Sequence, residues 1–258
     1  MSIIALALGM TLMTGCAIDK GTALETDFVD DWAGTPDVAK VETTGNNTLP
    51  FLGTATGTLI VKDGTSADRV AALANELRDY VARHGSTTGR IAADGITFTV
   101  VADKGRTSEA QTLWRSLTAD ARVVDGDIDD ASRKETDRWR VQLTAADSRS
   151  AMAVFRDMLA AGDRHQPLSD VTHLEVDTKR DVRPALKVET DLDGGVPAEA
   201  IAAYEAVAAQ YPIAGASLSA KRASIVVAGN ADQDRAGELA RRAAPNLGAV
   251  SVTSDRGN

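Results

Sequence analysis

Residues 56–101 read TGTLIVKDGTSADRVAALANELRDYVARHGSTTGRIAADGITFTVV. They set out strand, helix and hairpin in the order that governs the rest of the chain. Thr56 to Lys62 is a first strand, dense in β-branched residues. Thr65 and Ser66, with Asp68 in the first turn, open a helix whose apolar stripe is Val70, Leu73, Leu77, Tyr80 and Val81. His84-Gly85 ends it. Arg90 to Ala92 and Ile96 to Val101 then form a hairpin around Asp94-Gly95, the dipeptide that supplies positive φ to a two-residue turn. In the second hairpin strand Ile96, Phe98 and Val100 alternate with Thr97 and Thr99, so one face is buried.

Outward from this stretch the same order recurs. Thr107-Ser108 starts a helix striped by Ala110, Leu113, Trp114 and Leu117, and Ala121 to Val124 closes the unit. Asp125 to Asp137 is the most charged and least apolar window, expected to divide the chain. Beyond it come a strand at Trp139 to Thr144, a helix with Val154, Phe155, Met158 and Leu159, and strands at Val171 to Val176 and Ala185 to Glu189. A helix with Pro197 and Glu199 in its first turn is striped by Ile201, Tyr204, Val207, Ala208 and Tyr211. Strands Ala216 to Ala220 and Ser224 to Ala228 follow. A last helix opens on Asn230 and Gln233 at capping-box spacing, and a strand runs from Ala249 to Thr253. Before the opening unit, Leu24, Phe28 and Trp32 share one helical face, Val38 and Val41 belong to a strand, and 46–50 reads as a loop.

This alternation is an α+β pattern built from repeated βαβ units. Strand–helix–strand–strand–helix–strand is the split βαβ, or ferredoxin-like, order, expected once over about 56–125 and again over about 185–254. The expected architecture is two ferredoxin-like halves of antiparallel or mixed sheet with helices on one face. In residue terms these are a leader at 1–15, a tether and short helix at 16–36, a first module at 37–128, a charged linker at 129–137 and a second module at 138–258.

The N-terminus, MSIIALALGMTLMTGC, is an apolar run closing on Thr14-Gly15-Cys16, and Cys16 is the only cysteine. The run is too short to span roughly 30 Å of hydrocarbon, which takes about 20 residues. It suits a signal-peptide core with a small-residue cleavage site. The stretch resembles the signal peptide and lipobox of bacterial lipoproteins, with Met13 where that pattern usually has Leu. The resemblance implies a diacylated Cys16 as the mature N-terminus and a cell-membrane anchor on the extracytoplasmic face. Each buried methylene of such a chain contributes about 0.8 kcal/mol. The other reading is an N-terminal core helix burying Cys16, for which IIALALGMTLM has no polar face to offer water.

At the other end, Ala223 to Gly229, the helix of 232–244 and Gly248 to Val252 resemble the BON module of bacterial envelope proteins. Gly229 falls on the family glycine, and Val250 and Val252 on its returning strand. For 223–253 the resemblance implies binding of phospholipid or another envelope component, without catalytic residues.

The formal net charge of -9 argues against nucleic acid, whose phosphates require Lys and Arg, and against adsorption by charge to anionic lipid. No cofactor motif is present. Gly53-Thr-Ala-Thr-Gly57-Thr lacks the Lys-Ser/Thr of a phosphate loop, and Gly215-Ala-Ser217-Leu-Ser219 fails the nucleophile elbow at its last position. His84, His165 and His173 are scattered, with His84 a helix C-terminal residue and His173 an exposed strand position. Asp125, Asp127 and Asp129 alternate in DGDIDD, placing three carboxylates on one side of an extended chain. They are weak calcium candidates, because Asp130 stands where a calcium loop needs glycine. A solvated acidic linker is the preferred reading of them. Asp191 to Gly195 reads as a turn, and Trp32, Trp114 and Trp139 as core.

The expected role is therefore non-catalytic binding or scaffolding in the cell envelope, with an envelope protein or lipid as partner. A lipid or small-ligand carrier would need an apolar cavity between sheet and helices. A hydrolase would need Asp, Ser or His side chains gathered in one pocket.

Overall fold

The period-two runs pair as strands because each offers one apolar and one polar side. In the computed structural model, which describes residues 20–49, 52–130, 138–159, 165, 171–229 and 232–255, they form a single mixed sheet. The elements are α1 (Lys20–Trp32), β1 (Val38–Leu49), β2 (Leu52–Val61), α2 (Ala67–Arg83), β3 (Thr87–Ala93), β4 (Ile96–Val100), α3 (Lys104–Thr118), β5 (Val123–Asp130), β6 (Trp139–Ala145), α4 (Ser148–Leu159), β7 (Val171–Thr178), β8 (Ala185–Glu189), α5 (Ala198–Ala208), β9 (Ile213–Ser219), β10 (Arg222–Ala228), α6 (Gln233–Ala243) and β11 (Ala249–Asp255). The α+β class stands.

Strand order is sequential from β1 to β11. Pairs joined by a helix (β2–β3, β4–β5, β6–β7, β8–β9, β10–β11) are parallel, and the other neighbouring pairs are antiparallel. A split βαβ has another strand inserted between its two parallel strands, whereas here those strands are direct neighbours. The molecule is thus a row of plain βαβ units linked by hairpins, and sequence periodicity has no means of encoding that difference. Because paired strands alternate in direction while the helices stay on one side, successive crossovers have opposite hands. A single, right hand is the rule for such connections.

Burial shows the common side. Leu59 lies beside Ile91, Ile91 beside Phe98, Phe98 beside Ile128, and Ile128 beside Val141. The row continues through Leu174, Val176, Val188 and Leu218 to Ala223 and Ile225, all buried. Helix stripes close over this row, with Leu73 and Leu77 of α2, Leu113 and Trp114 of α3, and Val154 and Phe155 of α4 all at most 1% exposed. The three tryptophans are core, as expected, and the Trp114 indole N–H donates to the Ala93 carbonyl at 3.1 Å. Phe28 of α1 meets Tyr80 edge-on at 5.4 Å between ring centroids, and its ring occupies the space a Cβ at Gly57 would fill.

Local signals set several ends. The Ser66 hydroxyl caps α2 by accepting from the Arg69 amide. Asp94 and Gly95 have φ of 50° and 80°, as the hairpin turn requires. The start of α3 lies three residues before Thr107, capped by Asp103, whose carboxylate accepts from the Arg106 amide at 2.8 Å. Thr107 is buried and bonds Val101 instead. The cap of α6 is Asp232, while Asn230 lies outside the described residues. The expected loop at 46–50 is largely strand, since Asn46 and Asn47 pair with Thr54 and Gly53. The Asn47 side chain accepts from the Gly21 amide at 2.6 Å, tying α1 to β1.

The sheet also crosses the charged window. Asp129 and Asp130 pair with Arg140 and Trp139, so β5 and β6 join the two expected modules in one ladder, and 131–137 lie outside the described residues. No described helix is long and apolar enough to cross a membrane. Cys16 and the leader lie outside the described residues.

Candidate functional site

With the helices on one side, the other face of the sheet carries the alternate residues of each strand. On β5 these are Asp125, Asp127 and Asp129, opposite Thr144, Gln142 and Arg140. The three carboxylates do share one side, as the alternation implies. Two of them are engaged by arginine: Arg90 reaches Asp127 at 2.5 Å and Arg140 reaches Asp129 at 2.9 Å. Thr99 donates to Asp129 at 3.2 Å. Guanidinium groups thus neutralise two of the three carboxylates on which a cation there would depend.

A second group on this face escaped the sequence reading. His173, Glu175 and Asp177 alternate along β7, and Lys187 and Glu189 along β8. Glu175 stands directly opposite Glu189, and Asp177 opposite Lys187. Like charges facing each other across a ladder are destabilising unless a counter-charge lies between them. Lys187 supplies it, with Nζ 2.8 Å from Glu175 and 3.1 Å from Glu189. The His173 Nε2 is 3.5 Å from the same Glu175 oxygen. Two buried threonines hold the pair of strands: Thr190 Oγ1 accepts from the Leu174 amide and Thr178 Oγ1 from the Leu186 amide. His173, expected at an exposed position, has a side chain only 13% exposed.

The charges leave their mark on ionisation. Burial and the adjacent Glu175 carboxylate push the Asp177 carboxyl up to about 6. For Glu175 burial acts the same way, but the Lys187 hydrogen bond and charge outweigh it and hold that carboxyl below its usual range. The buried Nδ1 of His173 and Oδ1 of Asp177 have no hydrogen-bond partner among the described residues. A cavity of about 420 Å³ opens beside the group, its lining including His173, Glu189, Asp191, Ser219 and Lys221. Asp191 is already committed to its own turn, where its carboxylate accepts from the Gly195 and Asp193 amides. One ligand atom each from His173, Glu175 and Glu189 lies within 4.8 Å of the others, so these are the described residues able to hold a metal ion together.

A different constellation lies at the C-terminal end of α3. Ser116 Oγ is 2.8 Å from His165 Nδ1, and His165 Nε2 is 3.0 Å from Asp120. His165 is 1% exposed. Arg122 grips Asp120 and also reaches Asp157, each at 2.6 Å. That guanidinium holds the Asp120 carboxyl well below the usual carboxylate range. An Asp120 held ionised at neutral pH favours the tautomer with the proton on Nε2, leaving Nδ1 to accept from Ser116. Ser116, Asp120, Arg122 and His165 line a cavity of about 550 Å³. Residues 49 apart in sequence carry no local signature of such a meeting.

At the C-terminus, Gly229 follows β10 with φ of 66°, and α6 leads back to β11 parallel to β10. Comparison of the chain with protein families, with curated protein sequences and with solved structures found no match to any of them.

Proposed function

We propose that the chain is a lipid-anchored extracytoplasmic envelope protein, tethered by an acylated Cys16, that binds a partner protein and performs no catalysis. The observation that carries this reading is the sheet face that no described helix covers, on which β5 to β8 carry charged, half-buried side chains such as Asp127, Asp129, Glu175 and Lys187. Among the described residues the helices occupy the other face, and Gln142 and Arg140 are exposed on this one. The partner is a protein with a complementary basic surface, because a chain of net charge -9 is repelled by anionic lipid. The likeness of 223–253 to BON modules supports the envelope address. A repeated strand–helix–strand unit, rather than two ferredoxin-like halves, is the form in which we retain the repeat. A carrier role has less support, since Phe98, Trp114 and Phe155 fill the layer between sheet and helices. Mass spectrometry of the chain recovered from membranes tests the anchor. A diacylated Cys16 at the mature N-terminus is expected, and an unmodified chain starting at Met1 and found in the cytosol contradicts it.

The Ser116–His165–Asp120 arrangement favours a second reading, an envelope hydrolase of dispersed residues. Two features oppose it. The helix end at Ser116 directs carbonyls, not amides, toward developing negative charge, and Arg122 is consumed by two carboxylates. Labelling with a fluorophosphonate separates the readings: the binding role predicts no adduct on Ser116, and a stoichiometric adduct lost in His165→Asn establishes the hydrolase.

A further inference from the structure

We infer that His173, Glu175 and Glu189 form a binding site for a divalent cation of the zinc class, with Lys187 as a built-in competitor seated on its ligand atoms. The inference is independent of what the rest of the open face binds.

Zinc takes nitrogen and oxygen ligands at about 2.0–2.2 Å, so ligand atoms at the corners of its tetrahedron stand about 3.4 Å apart. The His173 Nε2 and Glu175 Oε2 are already 3.5 Å apart. Glu189 completes three protein ligands within 4.8 Å of one another, and the third must close by at most about 1.4 Å, a rotamer adjustment for a glutamate. Two adjacent strands hold all three, fixed by Thr178 and Thr190. The adjoining cavity leaves room for water as the fourth ligand.

The ammonium of Lys187 shows that the place draws a cation. It bridges the carboxylates that would ligate metal, at 2.8 and 3.1 Å. Three carboxylates, Glu175, Asp177 and Glu189, surround this single lysine. A divalent ion answers that imbalance better than one ammonium does. Lys187 is 38% exposed on a flexible stem, so it can swing to solvent when metal enters. The imidazole and the count of three ligands select the zinc class over calcium or magnesium, which seek six or more oxygens. The unpartnered His173 Nδ1 fits a functional imidazole better than a purely structural one.

The test is calorimetric titration of the full chain with Zn²⁺, with Ca²⁺ in parallel, and with Co²⁺ followed by its visible spectrum. One equivalent of Zn²⁺ and a four-coordinate Co²⁺ spectrum are expected. Lys187→Gln should tighten binding at least tenfold, while His173→Gln and Glu189→Gln should each weaken it at least tenfold. Binding seen only in Lys187→Gln overturns the inference for the native chain, whose carboxylates then belong to the lysine alone. No binding in either protein, binding indifferent to all three substitutions, or a preference for Ca²⁺ overturns the inference.

Discussion

Two stretches of the sheet face opposite the helices handle negative charge in opposite ways. Across β3 to β6, Asp127 and Asp129 each have an arginine of their own, Arg90 and Arg140. Across β7 and β8, Glu175 and Glu189 share Lys187, and Asp177 is left with a raised affinity for its proton. Both stretches read alike in sequence, as charged residues alternating with apolar ones. What separates structural from functional charge is the cross-strand neighbour, which register decides.

The comparison assumes that both stretches belong to one cooperative body, and the strongest way to break it is through the core beneath them. Trp139, 0% exposed on β6, lies under the junction. Trp139→Ala should cost about 3–5 kcal/mol. Urea denaturation followed by tryptophan fluorescence and circular dichroism should show one shifted transition; two transitions would divide the stretches between separate bodies.

The pH dependence sharpens the contrast. A carboxyl whose folded pKa is raised to about 6 binds more protons when folded than unfolded, so its contribution falls as pH rises from about 4 through 6. Glu175, Glu189 and Lys187 are the charged groups that face it. Asp177→Asn should remove that decline and stabilise the protein at pH 7 by about 1 kcal/mol, allowing for screening of a half-exposed group. Thermal melts of both proteins across this range check it. Asp120 acts in the opposite sense: its lowered pKa contributes stability above about 4 that is lost as pH falls further.

Smaller effects belong to the arginine-matched stretch. Arg140→Ala, at a pair 46% and 30% exposed, should cost about 1 kcal/mol or less in the same urea experiment. Lys40→Ala, at an exposed pair with Glu42 on β1, should cost no more than a few tenths of a kcal/mol. Lys40 and Glu42 lie on the same face but at its edge strand, so a larger loss at Lys40 than at Arg140 would deny the central strands any special electrostatic character.

Elements were legible where local chemistry dictates them. The stripe of Val70, Leu73 and Leu77, the Asp94-Gly95 turn and the alternation of Ile96, Phe98 and Val100 fold as their spacing implies. Strand order was not, because neighbouring or split parallel strands arise from the same run of elements. DGDIDD read as a boundary because an open-face strand needs little apolar content, and only Ile128 faces the core strongly. The β7–β8 group was missed although HLEVD and LKVE announce it faintly: charge at every second residue, with Leu174, Val176, Leu186 and Val188 between. Which strands lie side by side turns that pattern into a site, and no single strand carries the information. His165 meeting Ser116 and Asp120 is likewise a product of packing alone.

The most direct measurement of the binding role places a photo-crosslinking residue at Gln142, exposed on the open face, or at Glu238, exposed on α6, and irradiates intact membranes. Crosslinking to one basic partner protein from position 142 and not from 238 is the predicted result. Crosslinks from 238 alone, or to lipid alone from 142, would contradict it.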